Sequence, residues 1–450
     1  MSKKVGFVSL GCPKNLVDSE VMMGQLAAAG YEITPNAADA DTLVVNTCGF
    51  IESAKAESVE AILDAARLKQ TGKAQRLVVA GCLVERYRDD LKRDLPEVDA
   101  FIGTNQINEI LIAADAEQNQ EKLYLSPIGG KSATYLYDTD APRLRATDSH
   151  TAFIKIAEGC DRPCAFCSIP AMRGSYRSRR AGSILQEAAE LSNQGVKEIV
   201  LIAQDSSRYG EDLGEPDALA KLMRGLCEIA GVEWVRVMYT YPTHVSDAFL
   251  DVLASEPKAV KYLDIPLQHA SRNVLRLMRR GGTRESLERL IQKVRARVPG
   301  IVIRTTFIVG FPGETAADFE ELMQFVRACE FDNVGVFTYS DEEGTPAFEL
   351  PNKVESKIAR QRRAQLMKEQ AKISRRKNAE KIGQTFRVLF EGASPESDLL
   401  WQARFEGQAQ EIDGYILIND APDNFVPEIG AFYNVKITES HNYDLIGTII

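Results

Sequence analysis

Long apolar runs are missing from this sequence. Nothing in its 450 residues approaches the roughly eighteen that a membrane-spanning helix needs. The opening MSKKVGFVSLGC lacks both a sustained apolar core and a small-residue cleavage site, so no signal peptide is expected. The chain is therefore expected in the reducing cytoplasm, where structural disulfides are rare. Its eight cysteines are then free thiols or metal ligands. Histidine is scarce, with four in all, which leaves little for a His-rich metal site. Positive charge is also in deficit: the net charge of −10 argues against a whole-molecule nucleic-acid binder, although its distribution matters more than its sum. What is present is ordinary globular material, 44% apolar and long enough for about three domains.

Three segments follow one another. From about residue 4 to 115, the β-branched runs KVGFVSL, DTLVVN and RLVVAG each precede a helix-like stretch, the pattern of a parallel sheet covered on both faces. Residues 117–150 read as a polar linker with turn residues in SPIGGKS. From 151 to 350 the pattern strand then helix recurs six times, which points to an incomplete (β/α)6 barrel open at one side. Cys160, Gln204, Asp205, Tyr241, Gln268, His269 and Asp341 stand just past its strand ends, the face where such barrels place their chemistry. Residues 354–383 read as a solvated connecting helix whose Ala359, Leu366 and Ile373 can pack as one stripe. Five short strands from 385 to 450 predict a small antiparallel, OB-like β-barrel. The expected domains are 3–118, 146–383 and 385–450.

The cysteines carry the chemistry. GCDRPCAFCSIP places Cys160, Cys164 and Cys167 in a C-x3-C-x2-C spacing after the first barrel strand. A zinc knuckle would need a fourth Cys or His, and His150 is the nearest candidate; a ferredoxin would also need a fourth Cys. Cys227 and Cys329 lie inside helical stretches and read as core residues. A four-iron cluster on three thiolates leaves one iron open, and S-adenosylmethionine can occupy it through its amine and carboxylate. An electron from the cluster then cleaves the sulfonium to a 5′-deoxyadenosyl radical, chemistry that belongs to the cofactors. Spacing and position together resemble the radical S-adenosylmethionine superfamily. VLIAQD stands where that superfamily often has a Gly-Gly-Glu element, which makes Gln204 and Asp205 candidate cofactor contacts; Gly310 and Gly313 of VGFPGET are further candidates, with a plain strand-to-helix turn as the competing reading. Arg173, Arg177, Arg179 and Arg180 form either a solvated charge run or carboxylate contacts. Cys12, Cys48 and Cys82 each close one strand of the first segment, so in a parallel sheet they share one edge and can meet.

Together SLGCPKNLVDSE, NTCGFI, AGCLVER, EGCDRPCAFCSIPAMRGSYRSR, YLDIPLQH and GFPGET resemble the methylthiotransferases over nearly the whole chain. The resemblance implies an N-terminal domain with an auxiliary [4Fe-4S] cluster on Cys12, Cys48 and Cys82. It also implies a radical core with a [4Fe-4S] cluster on Cys160, Cys164 and Cys167, and a C-terminal TRAM domain. No catalytic residue beyond the cluster ligands is assigned. One branch, MiaB-like, modifies an adenosine of transfer RNA and tends to a YGCQMN first motif. The other, RimO-like, modifies an aspartate of small-subunit ribosomal protein S-twelve, and SLGCPKN and GCDRPCAFCSIP look like this branch. Implied partners are that ribosomal protein, an electron donor and the ribosome, with no membrane. An iron–sulfur electron carrier or a zinc-stabilised nucleic-acid module is the non-enzyme alternative; a carrier predicts fully ligated clusters and no S-adenosylmethionine binding. Charge favours a protein substrate: from Thr385 to Ile450 eleven acids stand against three bases, a local net charge of −8, which would repel phosphates and suit a basic partner.

Overall fold

Runs of β-branched residues form buried parallel strands, because a sheet covered on both faces needs apolar side chains on both. The computed structural model describes residues 2–115, 123–124 and 135–450. Its first sheet is parallel, in the order β2-β1-β3-β4-β5-β6. The strands are β1 (Lys4–Ser9), β2 (Glu32–Thr34), β3 (Thr42–Thr47), β4 (Arg76–Gly81), β5 (Ala100–Ile102) and β6 (Leu123–Tyr124). Strands β3 and β4 are buried at every position. Helices α1 (Pro13–Ala28), α2 (Glu52–Thr71), α3 (Cys82–Asp94) and α4 (Ile110–Ala114) connect them.

Residues 117–122 and 125–134 of the expected linker lie outside the described residues. Residues 135–150 correct the reading of a plain connector. Tyr135 and Tyr137 are buried. Arg143 donates to Glu20 of α1 through Nε at 2.9 Å and to Glu187 of the next domain through Nη1 at 2.6 Å. A guanidinium offers a fixed fork of donors, so one side chain clamps two domains.

The second domain has six parallel strands in two three-stranded sheets. One is β7 (Thr151–Lys155), β10 (Glu198–Ile202) and β11 (Trp234–Val237); the other is β12 (Tyr262–Asp264), β13 (Val302–Val309) and β14 (Asn333–Thr338). A single parallel bridge, Val235 to Ala259, marks their junction. A two-residue hairpin, β8 (Ala157–Glu158) with β9 (Arg177–Ser178), frames the loop after β7. Around the sheets lie α5 (Ile169–Arg173), α6 (Ala181–Asn193), α7 (Ala218–Glu228), α8 (Asp247–Ser255), α9 (Arg272–Leu277), α10 (Arg284–Arg297) and α11 (Ala316–Cys329). Cys227 and Cys329 are buried in the apolar core that these helices share with the strands. The barrel stays open between β7 and β14, and the first domain is tied to both edges. Asp18 of α1 reaches Lys155 on β7, and Arg86 and Lys55 reach Glu342 just beyond β14.

Helix α12 (Ser356–Ala379) packs on β14 through the stripe Ala359, Leu366 and Ile373, all buried. Its Arg362 is also buried, against Glu314 at 2.9 Å. The last five strands, β15 (Thr385–Ser394), β16 (Ser397–Phe405), β17 (Ile416–Asp420), β18 (Phe432–Ser440) and β19 (Leu445–Ile449), close a barrel in the order β15-β16-β17-β19-β18. Every pair is antiparallel except β17–β19, which is parallel. The all-antiparallel expectation fails for a topological reason: directions cannot alternate around a ring of five. This barrel docks through ion pairs and hydrogen bonds. Arg404 meets Glu198 of β10 at 2.7 Å, and Tyr262 of β12 donates to Asp413 at 2.7 Å.

Candidate active site between two cysteine triads

Each cysteine of the first domain stands where a parallel strand hands over to a helix. Cys12 caps α1, Cys82 opens α3, and Cys48 lies between β3 and α2. A helix N-terminus favours negative charge, which suits a thiolate ligand. The three loops are stapled together. Asn15 Nδ2 donates to Leu10 O at 2.7 Å and to Thr47 O at 3.3 Å, the carbonyls that lead into Cys12 and Cys48. Thr47 Oγ1 donates to Ala80 O at 2.6 Å, leading into Cys82, and Ser58 holds the Cys48 backbone. Gly81 has φ +99°, and a Cβ there would stand 2.4 Å from Asn46 Oδ1, so only glycine permits the approach. A Cβ on Gly11 would meet the Cys48 side chain at 2.8 Å, and one on Gly49 would meet the Cys82 carbonyl oxygen at 2.9 Å. Gly11 and Gly49 thus let the next cysteine close in, and Gly81 lets its strand end approach Asn46 and Thr47, which lead into Cys48.

The second triad lies in the loop after β7. Cys160 N donates to Gly174 O at 3.0 Å, and Cys167 N to Cys164 O at 3.2 Å. Ala165, Phe311, Val274, Met278 and Ala347 pack into a small buried cluster that seats this loop. Arg280 Nη1 approaches Cys164 Sγ at 3.5 Å, and Arg162 N approaches Cys160 Sγ at 3.5 Å. Tyr241 sits between the two guanidiniums, 4.1 Å from Arg162 and 4.3 Å from Arg280. Burial pushes the thiols up, Cys160 to about 11 and Cys167 and Cys82 to about 12, with Cys48 raised as well. Iron binding must therefore displace protons. Among the described residues no three His, Cys, Asp or Glu side chains group tightly enough to hold a single metal ion. In a four-iron cluster, by contrast, each thiolate holds its own iron.

Arg173 joins the triads. It ends α5, the helix that follows Cys167, and its Nη2 lies 3.4 Å from Cys82 Sγ and 3.2 Å from Asn15 Oδ1. Its Nη1 meets Asp18 at 2.7 Å and Glu158 at 3.1 Å. Lys155 bonds the same two carboxylates, at 2.5 and 2.6 Å. Despite its burial, Arg173 and Lys155 hold the Glu158 carboxyl down at about 2. Removing one member of a buried ion network strands the others, at a cost of about 3–5 kcal/mol. Arg173→Met should therefore destabilise the chain by about that much, read by chemical denaturation, with Arg173→Lys recovering part of it. An unchanged midpoint for the Met variant would contradict this.

Gln204 Nε2 donates to Glu158 at 2.6 Å, while its Oε1 is buried with no hydrogen-bond partner. Asp205 is buried and accepts from Arg162 Nε at 2.8 Å. Gly310 and Gly313 have packing reasons for their identity: φ values are +76° and +83°, a Cβ on Gly310 would meet Ala359 at 2.4 Å, and Glu314 accepts from the Gly310 and Phe311 amides. The arginine run divides. Arg173 and Arg179 are buried against carboxylates, Arg179 meeting Glu187 at 2.6 Å, whereas Arg177 and Arg180 are exposed. His150 pairs with Glu391 at 3.3 Å in the contact with the C-terminal barrel, away from a ligand role. Sequence reasoning missed Lys14, Asp18, Lys155 and Glu158. One signal was available: α1 has buried polar residues at 14, 15, 18 and 19, a polar stripe at helical spacing.

Three family models match: the uncharacterized protein family UPF0004 over residues 4–103, the radical SAM superfamily over 154–326 and the TRAM domain over 382–450. The ribosomal protein uS12 methylthiotransferase RimO of Solibacter usitatus is 51% identical over 449 residues, 99% of this chain and 95% of its own. The chain belongs to the RimO family. RimO of Koribacter versatilis is 47% identical over 487 residues, 100% of this chain and 96% of its own. At the level of fold alone, the radical S-adenosylmethionine methyltransferase TsrM of Kitasatospora setae, solved with cobalamin and a [4Fe-4S] cluster, superposes with a TM-score of 0.50. That match has 16% identity and covers 77% of this chain and 74% of TsrM. As a RimO-family member with a radical SAM core, the chain is a methylthiotransferase that works with a [4Fe-4S] cluster and S-adenosylmethionine. None of its described helices is long and apolar enough to cross a membrane.

Proposed function

We propose that this chain methylthiolates the β-carbon of an aspartate in ribosomal protein uS12. In this reading Cys160, Cys164 and Cys167 hold the radical cluster, and Cys12, Cys48 and Cys82 hold a second [4Fe-4S] cluster. The observation that carries it is the pair of three-thiol loops joined through Arg173, in a chain with full-length uS12 methylthiotransferase relatives. When bound, the first cluster and S-adenosylmethionine supply the hydrogen-abstracting radical, and the second supplies sulfur. The chain's own residues position and shield. The unpaired Oε1 of Gln204 offers an acceptor to the methionine ammonium, Asp205 fixes Arg162 beside Cys160, and the Phe311 cluster keeps water from the loop. The functional division follows domains 3–118, 146–383 and 385–450. We place the protein in the cytoplasm, with an electron donor and the ribosome as partners.

The C-terminal barrel favours a basic protein over RNA. Glu391 and Asp413 are buried, as is Arg404, which pairs with Glu391. Setting these aside, nine acids and two bases, Arg387 and Lys436, remain in the domain. That charge balance repels phosphates and attracts a ribosomal protein. Binding to uS12 should weaken steadily as salt rises, measured by titration at several ionic strengths; salt-independent binding would contradict the charge argument. Mass spectrometry of uS12 and of total transfer RNA, from cells with and without this gene, tests the function. The expected result is loss of the methylthio group from the uS12 aspartate alone. Loss from transfer RNA with the aspartate unchanged would assign the chain to the MiaB-like reaction.

A further inference from the structure

Among the described residues, Lys14 is a buried cation with no carboxylate at ion-pair distance. Lys14 stands two residues after Cys12 in the first turn of α1 and is 8% exposed. Its Nζ lies 3.2 Å from the centroid of the Tyr239 ring, and no carboxylate among the described residues is within ion-pair distance of it. The other buried cations near the site are paired with carboxylates, Lys155 and Arg173 with Asp18 and Glu158; half-buried Arg162 pairs with Asp205, and half-buried Arg280 donates to Pro266 O and lies beside Cys164 Sγ. A ring face offsets the desolvation of an ammonium only in part, and buried charges are ordinarily paired. The site is therefore incomplete until an anion arrives.

Its surroundings point to the same conclusion. Tyr239 lies just past β11, at the end of the barrel where chemistry is placed, and its backbone is left-handed with φ +64°. That strained conformation is held from both sides: Tyr239 N donates to Asp264 Oδ2 at 2.9 Å, and Ser206 N donates to Tyr239 O at 2.9 Å. Such strain persists where the surrounding structure pays to keep a side chain in place. The ring thus presents Lys14 from the barrel side, while Cys12 anchors it from the first domain. The cation observed against the first triad is Arg173, whose Nη2 lies 3.4 Å from Cys82 Sγ.

We propose that Lys14 binds the side-chain carboxylate of the substrate aspartate. This rests on the reading of the chain as an aspartate methylthiotransferase. The carbon that gains sulfur is bonded directly to that carboxylate, so a cation next to a ligand of the sulfur-donating site is in the place geometry demands. A charge-assisted contact there also gives specificity, because an uncharged residue would leave the ammonium buried and unpaired. An adenosine, the target of the transfer-RNA branch, has no carboxylate to pair.

The test uses the full-length, reconstituted protein as wild type, Lys14→Met and Lys14→Arg. Each is given uS12 and uS12 with the target aspartate changed to asparagine. Iron content, the cluster spectra, uS12 binding and the ratio of methylthio product to 5′-deoxyadenosine are measured. Lys14→Met should keep both clusters and cleave S-adenosylmethionine, yet bind uS12 or couple cleavage to product about 10- to 100-fold less well. Lys14→Arg should recover part of the loss. Wild type should bind the aspartate form better than the asparagine form, and Lys14→Met should have lost that preference, as a double-mutant cycle requires for a direct pair. A Lys14→Met protein that still prefers aspartate would overturn the proposal. So would iron content falling to one cluster, because Lys14 would then be a support of the auxiliary site. A wild type that modifies no aspartate of uS12 would remove the underlying reading instead, and the wild-type arm alone reports that.

Discussion

Replacing Cys160, Cys164 and Cys167 together by alanine should reduce 5′-deoxyadenosine formation to that of a protein-free control under reducing conditions. The loop is shaped to present thiols and little else. Backbone bonds fix Cys160 to Gly174 and Cys167 to Cys164, and a small apolar cluster seats the chain between them. With the thiols gone the nearby side chains are poor replacements, since Asp205 is held by Arg162, and Arg162 and Arg280 are cations that repel iron. The fold should survive, because Ala fills less space than Cys and the strands and helices do not depend on the loop. Far-UV circular dichroism should match the wild type, and iron content should fall by one cluster. Cleavage at the wild-type rate would refute the assignment of these three residues.

The companion variant, with Cys12, Cys48 and Cys82 changed to alanine, should behave in the opposite way. It should keep one cluster and still form 5′-deoxyadenosine, while the methylthio product disappears. The reason is separation of the two loops by covalent position: the auxiliary cysteines belong to the β1, β3 and β4 ends, and the radical triad to the loop after β7. Arg173, in the helix that follows Cys167, approaches Cys82 and so links the two regions. Some change in the rate of cleavage is expected through that arginine, but not its loss. Iron content equal to wild type would mean that no second cluster exists.

The sequence by itself determined the elements and the ligand candidates. Runs such as DTLVVN and RLVVAG carry their burial in their composition, and the six barrel strands follow from the repeated pattern of strand then helix. The cysteine spacings were legible because a short loop keeps neighbours in sequence near in space. Three features were not legible, each for a physical reason. The parallel β17–β19 pair follows from closing five strands into a ring, a property of the ring and of no single strand. The roles of Arg173 and Arg179, against the exposure of Arg177 and Arg180, depend on which way a short helix and a hairpin turn, and charged residues look alike in a string. The anion-free Lys14 is visible only when α1 of one domain meets Tyr239 of another, more than two hundred residues away along the chain. Local spacing marks Cys160, Cys164 and Cys167 as ligand candidates, because it acts through covalent neighbours; domain packing decides which charges are left unpaired, because that depends on surfaces brought together only by the fold.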